Sequence, residues 1–263
     1  MADFFDGKAF LVTGASSGIG EAVARRLVER GARVAAMART EPKLRELAAV
    51  LGERCLAAPG DVTREEDCAR AVAETIRACG RLDGIVHSAG VSMRALARET
   101  KVQVYRDLME VNFFSMLFLF RAAVEPLVKT KGHLVAISSM MGLYSTQKRS
   151  GYAAAKHALQ GFMDSVRLEL HGDGVHVMTV SPGFVKTNIS LHALSADGTP
   201  HGQVDPAIER GLDPRVVADA ILRGMERRAR DVFPAGGKEK LGLFLSKWAP
   251  KRLDRFLLGT SVT

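Results

Sequence analysis

Very little in this chain can form a cross-link or a metal cage. Of 263 residues only three are cysteine, Cys55, Cys68 and Cys79, and none stands at metal-ligand spacing to another. They read as reduced core thiols of a cytoplasmic protein, and no metal ion is expected. Long apolar runs are also missing. Phe113 to Phe120 is nearly all apolar and is closed off by Arg121 and Glu125. A membrane span needs about 20 such residues, so the run reads as a buried helix. Met1 to Asp6 is too short and too acidic for a signal peptide. No internal repeat, low-complexity tract or linker divides the chain. Acidic residues are in deficit, 29 against 37 Lys and Arg, for a net charge of +8. That excess is local: Arg223 to Thr263 holds ten basic and four acidic residues. Positive charge is therefore not spread along a groove-reading element, and nucleic acid is not an expected partner.

What is present is alternation. At 47% hydrophobic, a chain of 263 residues fits one α/β domain with a sizeable core. Strand-like runs at Lys8–Thr13, Arg33–Ala38, Cys55–Ala58, Gly84–His87, His133–Ser138 and Val175–Ser181 alternate with amphipathic stretches. That rhythm predicts a single Rossmann-like, doubly wound parallel sheet with right-handed crossovers and helices on both faces.

The first strand runs into Gly14-Ala15-Ser16-Ser17-Gly18-Ile19-Gly20, and Glu21 to Arg30 then reads as a helix. Strand, glycine loop and helix is the setting of a phosphate-binding turn. The glycines admit the backbone to a pyrophosphate, and the helix N-terminus presents unpaired N–H groups to it. The spacing here is G-x-x-x-G-x-G. After the second strand a carboxylate for a free ribose 2′-hydroxyl is absent; Arg39-Thr40 stands there, and Pro42 assigns Glu41 to the next helix. NADP(H) is therefore expected over NAD(H).

Farther on, Tyr152 and Lys156 lie four apart, on one helix face. A free tyrosine has a pKa of about 10 and is a poor acid at neutral pH. A cation about 5 Å away at an effective dielectric of about 20 supplies on the order of 3 kcal/mol, or roughly two pKa units. On that reading Tyr152 becomes a proton donor or acceptor for a carbonyl/alcohol pair.

With these pieces in view, the chain resembles the short-chain dehydrogenase/reductase family from about Lys8 to Pro234. The resemblance rests on Thr13 to Gly20, Asp61-Val62, Ser88-Ala89-Gly90, Asn112 in Glu110-Val111-Asn112-Phe113, and Ser138-Ser139. It continues through Tyr152-Ala153-Ala154-Ala155-Lys156, Ser181-Pro182-Gly183 and Thr187. It implies that Ser139, Tyr152, Lys156 and Asn112 are catalytic: Ser139 positions the substrate oxygen and Tyr152 transfers the proton. Lys156 lowers the tyrosine pKa and bonds the nicotinamide ribose, and Asn112 holds a water behind Lys156. It implies a cofactor site at Gly14, Ser16, Ser17, Gly18, Ile19 and Gly20, then Arg39, Thr40, Asp61 (to the adenine) and Val62. Ser88, Ala89, Gly90, Tyr152, Lys156, Pro182, Gly183, Val185 and Thr187 complete it. One departure stands out. The family usually carries Asn-Asn-Ala-Gly after the fourth strand, and here His87-Ser88-Ala89-Gly90 leaves the sheet brace in doubt; His87 itself reads as a space-filling strand-end residue. The family also pairs the Phe113–Phe120 helix with that of Tyr152, Leu159, Phe162, Met163, Val166 and Leu170 across a dimer interface, which implies a homodimer or homotetramer.

Residues 1–236 then form the dinucleotide-binding domain with its catalytic site, and 237–263 form a basic amphipathic extension of it. There Leu241, Leu243, Phe244, Leu245, Trp248, Leu253, Phe256, Leu257 and Leu258 interleave with Lys238, Lys240, Lys247, Lys251, Arg252 and Arg255. Two readings stay open: a helix at a membrane surface, or a cover over the substrate pocket or a partner subunit. Thr187 to Pro200 is the region the family uses as a lid, and its Ser-Ala-Asp-Gly segment resembles the dehydrogenase/reductase member-seven branch. Ketosphinganine reductases and 11-beta-hydroxysteroid dehydrogenases are more distant in resemblance. The implied activity is NADP(H)-dependent interconversion of a carbonyl and an alcohol on an apolar, lipid- or steroid-like substrate. The alternative is an NADP-binding regulator with little catalysis.

Overall fold

The computed structural model describes residues 3–259; Met1, Ala2 and residues 260–263, the outer ends of the two expected regions, lie outside them. In chain order the elements are β1 (Ala9–Thr13), α1 (Gly18–Glu29), β2 (Arg33–Ala38), α2 (Glu41–Leu51), β3 (Cys55–Pro59), α3 (Glu65–Cys79), β4 (Gly84–His87) and α4 (Val102–Met109). They continue as α5 (Ser115–Thr130), β5 (His133–Ile137), α6 (Ser150–Glu169), β6 (His176–Val180), α7 (Pro206–Glu209), α8 (Pro214–Glu226), β7 (Asp231–Val232), α9 (Gly237–Trp248) and α10 (Pro250–Gly259). The strands form one sheet in the order β3-β2-β1-β4-β5-β6-β7, every pair parallel. Glu41 does begin α2, as Pro42 predicts. The two-residue β7 carries no pattern that a sequence could show.

Alternation along the strands divides the core into two layers. Phe10 and Val12 of β1, with Val34 and Ala36 of β2, face Val23 and Leu27 of α1 and Val217, Ile221 and Met225 of α8. Leu11, Ala35 and Met37 face the other way, onto a layer holding Val72 of α3, Met116 and Leu119 of α5, and Leu159 and Met163 of α6. Both faces are covered, so the strands read as continuous apolar runs. Strand order reverses between β1 and β4, and the register sets Thr13 opposite His87 and His87 opposite Ala136. The carboxyl ends of the central strands thus open together at the switch point, where such sheets hold ligands.

One expectation about the long helices changes and one holds. Leu159, Met163, Val166 and Leu170 of α6 are buried in the core layer, and Tyr152 packs with Met93, Val104 and Leu108. Helical spacing identified the inward stripe of α6, so these side chains cannot form a subunit contact. What remains half-buried is aromatic: Phe162 meets Phe113 and Phe120 edge-on, and Phe114 stacks with Phe118. Helix 102–130 also passes the length and composition of a membrane span. Here Met116, Leu119, Ala123 and Leu127 press it into the core.

Candidate active site

The site begins with conformations only glycine accommodates well. Gly14 (φ +65°) would place a Cβ 2.8 Å from the Ala89 amide, and Gly18 (φ +59°) would place one 2.9 Å from the Thr187 methyl. Gly20 lies beneath the loop: a Cβ there would come 2.4 Å from the Gly14 carbonyl. It closes helix onto strand and, unlike Gly14 and Gly18, does not line the cleft. Ser17 is the N-cap of α1, yet its side chain makes no capping bond. The first-turn amides therefore face the cleft uncapped by that side chain, as a pyrophosphate requires. A cleft of about 1360 Å³ runs from this turn along the sheet ends. Ser16, Ser17 and Ile19 line its start; Arg39, Thr40, Asp61 and Val62 line one flank; Ser88, Ala89 and Gly90 line the floor. Pro182, Gly183, Val185 and Thr187 line the far flank. A cradle of this shape fits a dinucleotide.

Arg39 directly follows β2 and is exposed, whereas Glu41 turns away to bond Arg45 at 2.5 Å. Lys43, one turn into α2, also lines the cleft beside Arg39. It gives no sequence signal of its own, because only the turn of α2 brings it there. Asp61 lines the wall, with its Oδ1 accepting from the Thr63 amide and hydroxyl at 2.9 Å each.

Ser139, Tyr152 and Lys156 converge in the same cleft. Ser139 follows β5, and its Oγ accepts from the Met141 amide at 3.1 Å. Ser138 keeps its backbone on β6 through a 2.7 Å bond to Val180 O, and its buried Oγ has no protein partner. Tyr152 and Lys156 lie in the first two turns of α6, with Lys156 Nζ 5.8 Å from the phenol ring centre. Nζ donates to Ile137 O at 2.9 Å. Burial drives both groups toward neutrality: it pushes the tyrosine up to about 12, against a hydrogen bond with Ser139, and the lysine down to about 7. The tyrosine is thus raised, not lowered as the i, i+4 spacing to Lys156 predicts. Desolvation is the largest cause, and the hydrogen bond with Ser139 opposes it only in part.

Asn112 sits in a π-helical turn, Glu110–Phe114, between α4 and α5. Its Nδ2 donates to Leu108 O and Val91 O, both at 2.9 Å, and its Oδ1 accepts from the Val91 amide at 3.3 Å. A Cβ on Gly90 would lie 3.0 Å from Asn112 Oδ1 and 3.5 Å from Lys156 Nζ. Asn112 is therefore behind the cleft, across Gly90 from the lysine, where a π-turn at a functional site is common.

Sequence reasoning undervalued His87. It is fully buried, with Nδ1 2.8 Å from Thr13 Oγ1 and Nε2 2.9 Å from Ser115 Oγ. Ser115 donates its one proton to Val111 O at 2.7 Å, so Nε2 must carry the hydrogen and Nδ1 accepts from Thr13. Thr13 Oγ1 in turn accepts from the Ser88 and Ala89 amides at 3.2 Å. The brace doubted at Ser88 is supplied one position earlier. It ties β1 and β4 to α5 and carries no catalytic geometry. Of the thiols, Cys55 and Cys68 are buried and pushed up to about 11 and 12 by burial, while Cys79 is half-buried.

Fold and site together define an oxidoreductase built on a dinucleotide cleft, and comparison with known proteins specifies which. The family model for short chain dehydrogenases matches residues 8–197. The chain is 36% identical over 239 residues to dehydrogenase/reductase SDR family member 7B of Danio rerio, covering 87% of this chain and 77% of that protein. It is 32% identical over 252 residues to an SDR family protein 7-like of Drosophila melanogaster, covering 93% and 77%. Among solved structures, a Burkholderia cenocepacia short chain dehydrogenase in complex with NADP superposes with TM-score 0.81 at 25% identity, covering 97% and 99%. A Streptomyces avermitilis short-chain dehydrogenase gives TM-score 0.78 at 29% identity, covering 95% and 98%. The chain belongs to the short-chain dehydrogenase/reductase family.

Proposed function

We propose that the protein is an NADP(H)-dependent reductase that interconverts a carbonyl and an alcohol on an apolar substrate. The observation that carries this is the convergence of Ser139, Tyr152 and Lys156 in one cleft with the uncapped glycine turn. The nicotinamide, when bound, supplies or takes the hydride. Tyr152 gives its proton to the substrate oxygen, and Ser139 positions that oxygen. Lys156 holds the ribose and re-protonates the phenol, with Asn112 behind it. Arg39 and Lys43 favour the 2′-phosphate, since the carboxylate next in line, Glu41, is engaged by Arg45. Met140, Met141, Phe184, Ile189 and Leu194 give the substrate end of the cleft its apolar character. The complete constellation speaks against a regulator that binds the dinucleotide without chemistry.

Two features of the surface bear on location and assembly. The half-buried aromatic face of Phe113, Phe114, Phe118, Phe120 and Phe162 suits a homodimer or homotetramer contact. Leu241, Phe244, Trp248 and Leu258 of α9 and α10 are exposed beside Lys238, Lys240, Lys247, Lys251, Arg252 and Arg255. That mixture suits a cytoplasmic protein that touches anionic membrane and takes its substrate from lipid metabolism.

The test is Tyr152→Phe, followed by NADPH consumption with a panel of aliphatic and aromatic ketones. The proton step accounts for roughly a hundred- to ten-thousandfold of rate, so turnover should fall by that factor with NADPH affinity within about threefold. A variant keeping half the wild-type rate overturns the assignment.

A further inference from the structure

One charged cluster beside the substrate half of the cleft is out of balance. Arg94, in the loop after β4, and Arg149, just before α6, are each 8% exposed. Both guanidinium groups turn to one oxygen, Oδ2 of Asp205, in the lid segment between β6 and α8. Arg94 Nη2 makes a direct ion pair there, and Arg149 Nη2 stands 3.6 Å away. The other oxygen, Oδ1, accepts from the Ala207 amide at 2.9 Å. Among the described residues no second acidic side chain pairs with either arginine. Two buried positive charges thus share one negative charge, and Arg94 Nη1 and Arg149 Nε are buried without any hydrogen-bond partner. Unpaired donors on buried cations are costly; both of these atoms are closed off from the cleft, so the surplus charge is not relieved within the protein and the cleft reaches it through Arg149. Arg149, Asp205 and Ser92, whose hydroxyl accepts from Arg149 Nη1 at 2.6 Å, line the same cleft as Tyr152 and Ser139.

We propose that Arg149, backed by the positive charge of Arg94, forms an anion subsite for the substrate, so that the carbonyl compound taken by this enzyme carries a carboxylate or phosphate group besides its apolar part. The inference rests on the carbonyl reductase reading above. Guanidinium groups suit either anion, because their fork of donors matches a pair of acceptor oxygens. Asp205 neutralises one charge in the resting site and holds the lid, through its amide on Ser190 Oγ at 3.1 Å. The surplus charge is what the substrate's anion meets.

The experiment compares kcat/KM, with NADPH, for matched pairs of ketones. One pair is a medium-chain oxo acid and its methyl ester; the other is a keto phosphate monoester and the corresponding keto alcohol. A charge-assisted contact corresponds to about ten- to a hundredfold, so the anionic member of at least one pair should be preferred by that factor. The pair that shows it identifies carboxylate or phosphate. Arg149→Gln should collapse that ratio toward one. Asp205→Asn, which frees the second charge, should raise it, and this variant decides the matter if Arg149→Gln does not fold. Neutral members reduced as well as or better than the anionic ones would overturn the subsite and leave the reductase reading standing. A ratio unchanged in Arg149→Gln, or lowered in Asp205→Asn, would also overturn it. No turnover of any ketone would overturn both.

Discussion

At the scale of single residues, burial sets the chemistry as much as neighbouring charge does. Tyr152 and Lys156 sit where the i, i+4 spacing places them, yet both are held near neutrality because the low-dielectric wall penalises either charge. Sequence spacing reports proximity but not desolvation, which is why the direction of the tyrosine shift was not legible while its partner was. Cofactor choice also belongs to this scale. Arg39 is exposed at the end of β2, with Lys43 beside it in the cleft wall. A charge-assisted contact to a 2′-phosphate is worth roughly 1.5–3 kcal/mol, so Arg39→Ala should cut a preference for NADPH over NADH by about ten- to a hundredfold. Lys43→Ala should cut it by a smaller factor. Titration of nicotinamide fluorescence measures both, and equal wild-type affinities for the two cofactors would refute the assignment. Arg39 could be found in the sequence because it directly follows a strand. Arg94 and Asp205 could not, since 111 positions separate them.

At the scale of elements, the sheet, the glycine turn and the start of α6 were legible because each is a local pattern. Strands Gly84–His87 and Cys55–Pro59 fall within a residue of their expected spans. The function of His87 was not, because it depends on three elements meeting around one ring. Buried histidines make the stability of this sheet depend on pH. His87 and His133 are both pushed down from 6.5 to about 3 by burial, and His176, whose Nδ1 is 2.8 Å from that of His133, is lowered as well. Their folded pKa values lie below those of the unfolded chain, so unfolding takes up protons below about pH 6.5. Stability from these groups is therefore full above that pH and declines as pH falls from 6.5 toward 3. Each histidine contributes a slope of up to about 1.4 kcal/mol per pH unit. Between pH 6.5 and pH 5 few carboxylates titrate in the unfolded chain, so that window isolates the effect. His87 and His133 together should cost about 3 kcal/mol across it, read as a drop in the urea midpoint. His87→Asn removes one titrating ring and should flatten the slope by about a third to a half. An unchanged slope in that variant would show that His87 is already charged in the fold.

At the scale of the whole molecule, the basic C-terminal segment resolves into two helices with two different faces. Inward, Leu243, Leu245, Phe256 and Leu257 pack with Met140, Tyr144 and Leu253, and α9 lies close enough that a Cβ on Gly242 would come 2.9 Å from the Tyr144 ring. Gly236 to Glu239, Phe256 and Leu257 line the cleft itself. Glu239 reaches the backbone at Gly183, where a Cβ would lie 2.9 Å from its carboxylate. The segment is thus a wall of the pocket, one of the two readings the sequence left open. Outward, Phe244 is 59% and Trp248 75% exposed, beside the lysines and arginines. The two faces can be separated by experiment. Replacing Phe244 and Trp248 together by Glu removes the outward apolar anchors without touching the cleft lining. If that face rests on anionic lipid, co-sedimentation with phosphatidylserine vesicles should be lost while turnover of a soluble ketone in vesicle-free buffer stays within about twofold. Each basic residue near such a surface adds about 1 kcal/mol, so wild-type binding should weaken steeply between low and physiological salt. Ending the chain at Gly237 instead removes the wall as well, and should lower kcat/KM for long apolar ketones more than for small ones. Wild-type protein that ignores anionic vesicles at low salt would sink the membrane role. A truncated enzyme that treats long and short ketones as before would show that the inward face only fills space, because a wall that shapes the substrate end cannot be removed without changing which substrates fit.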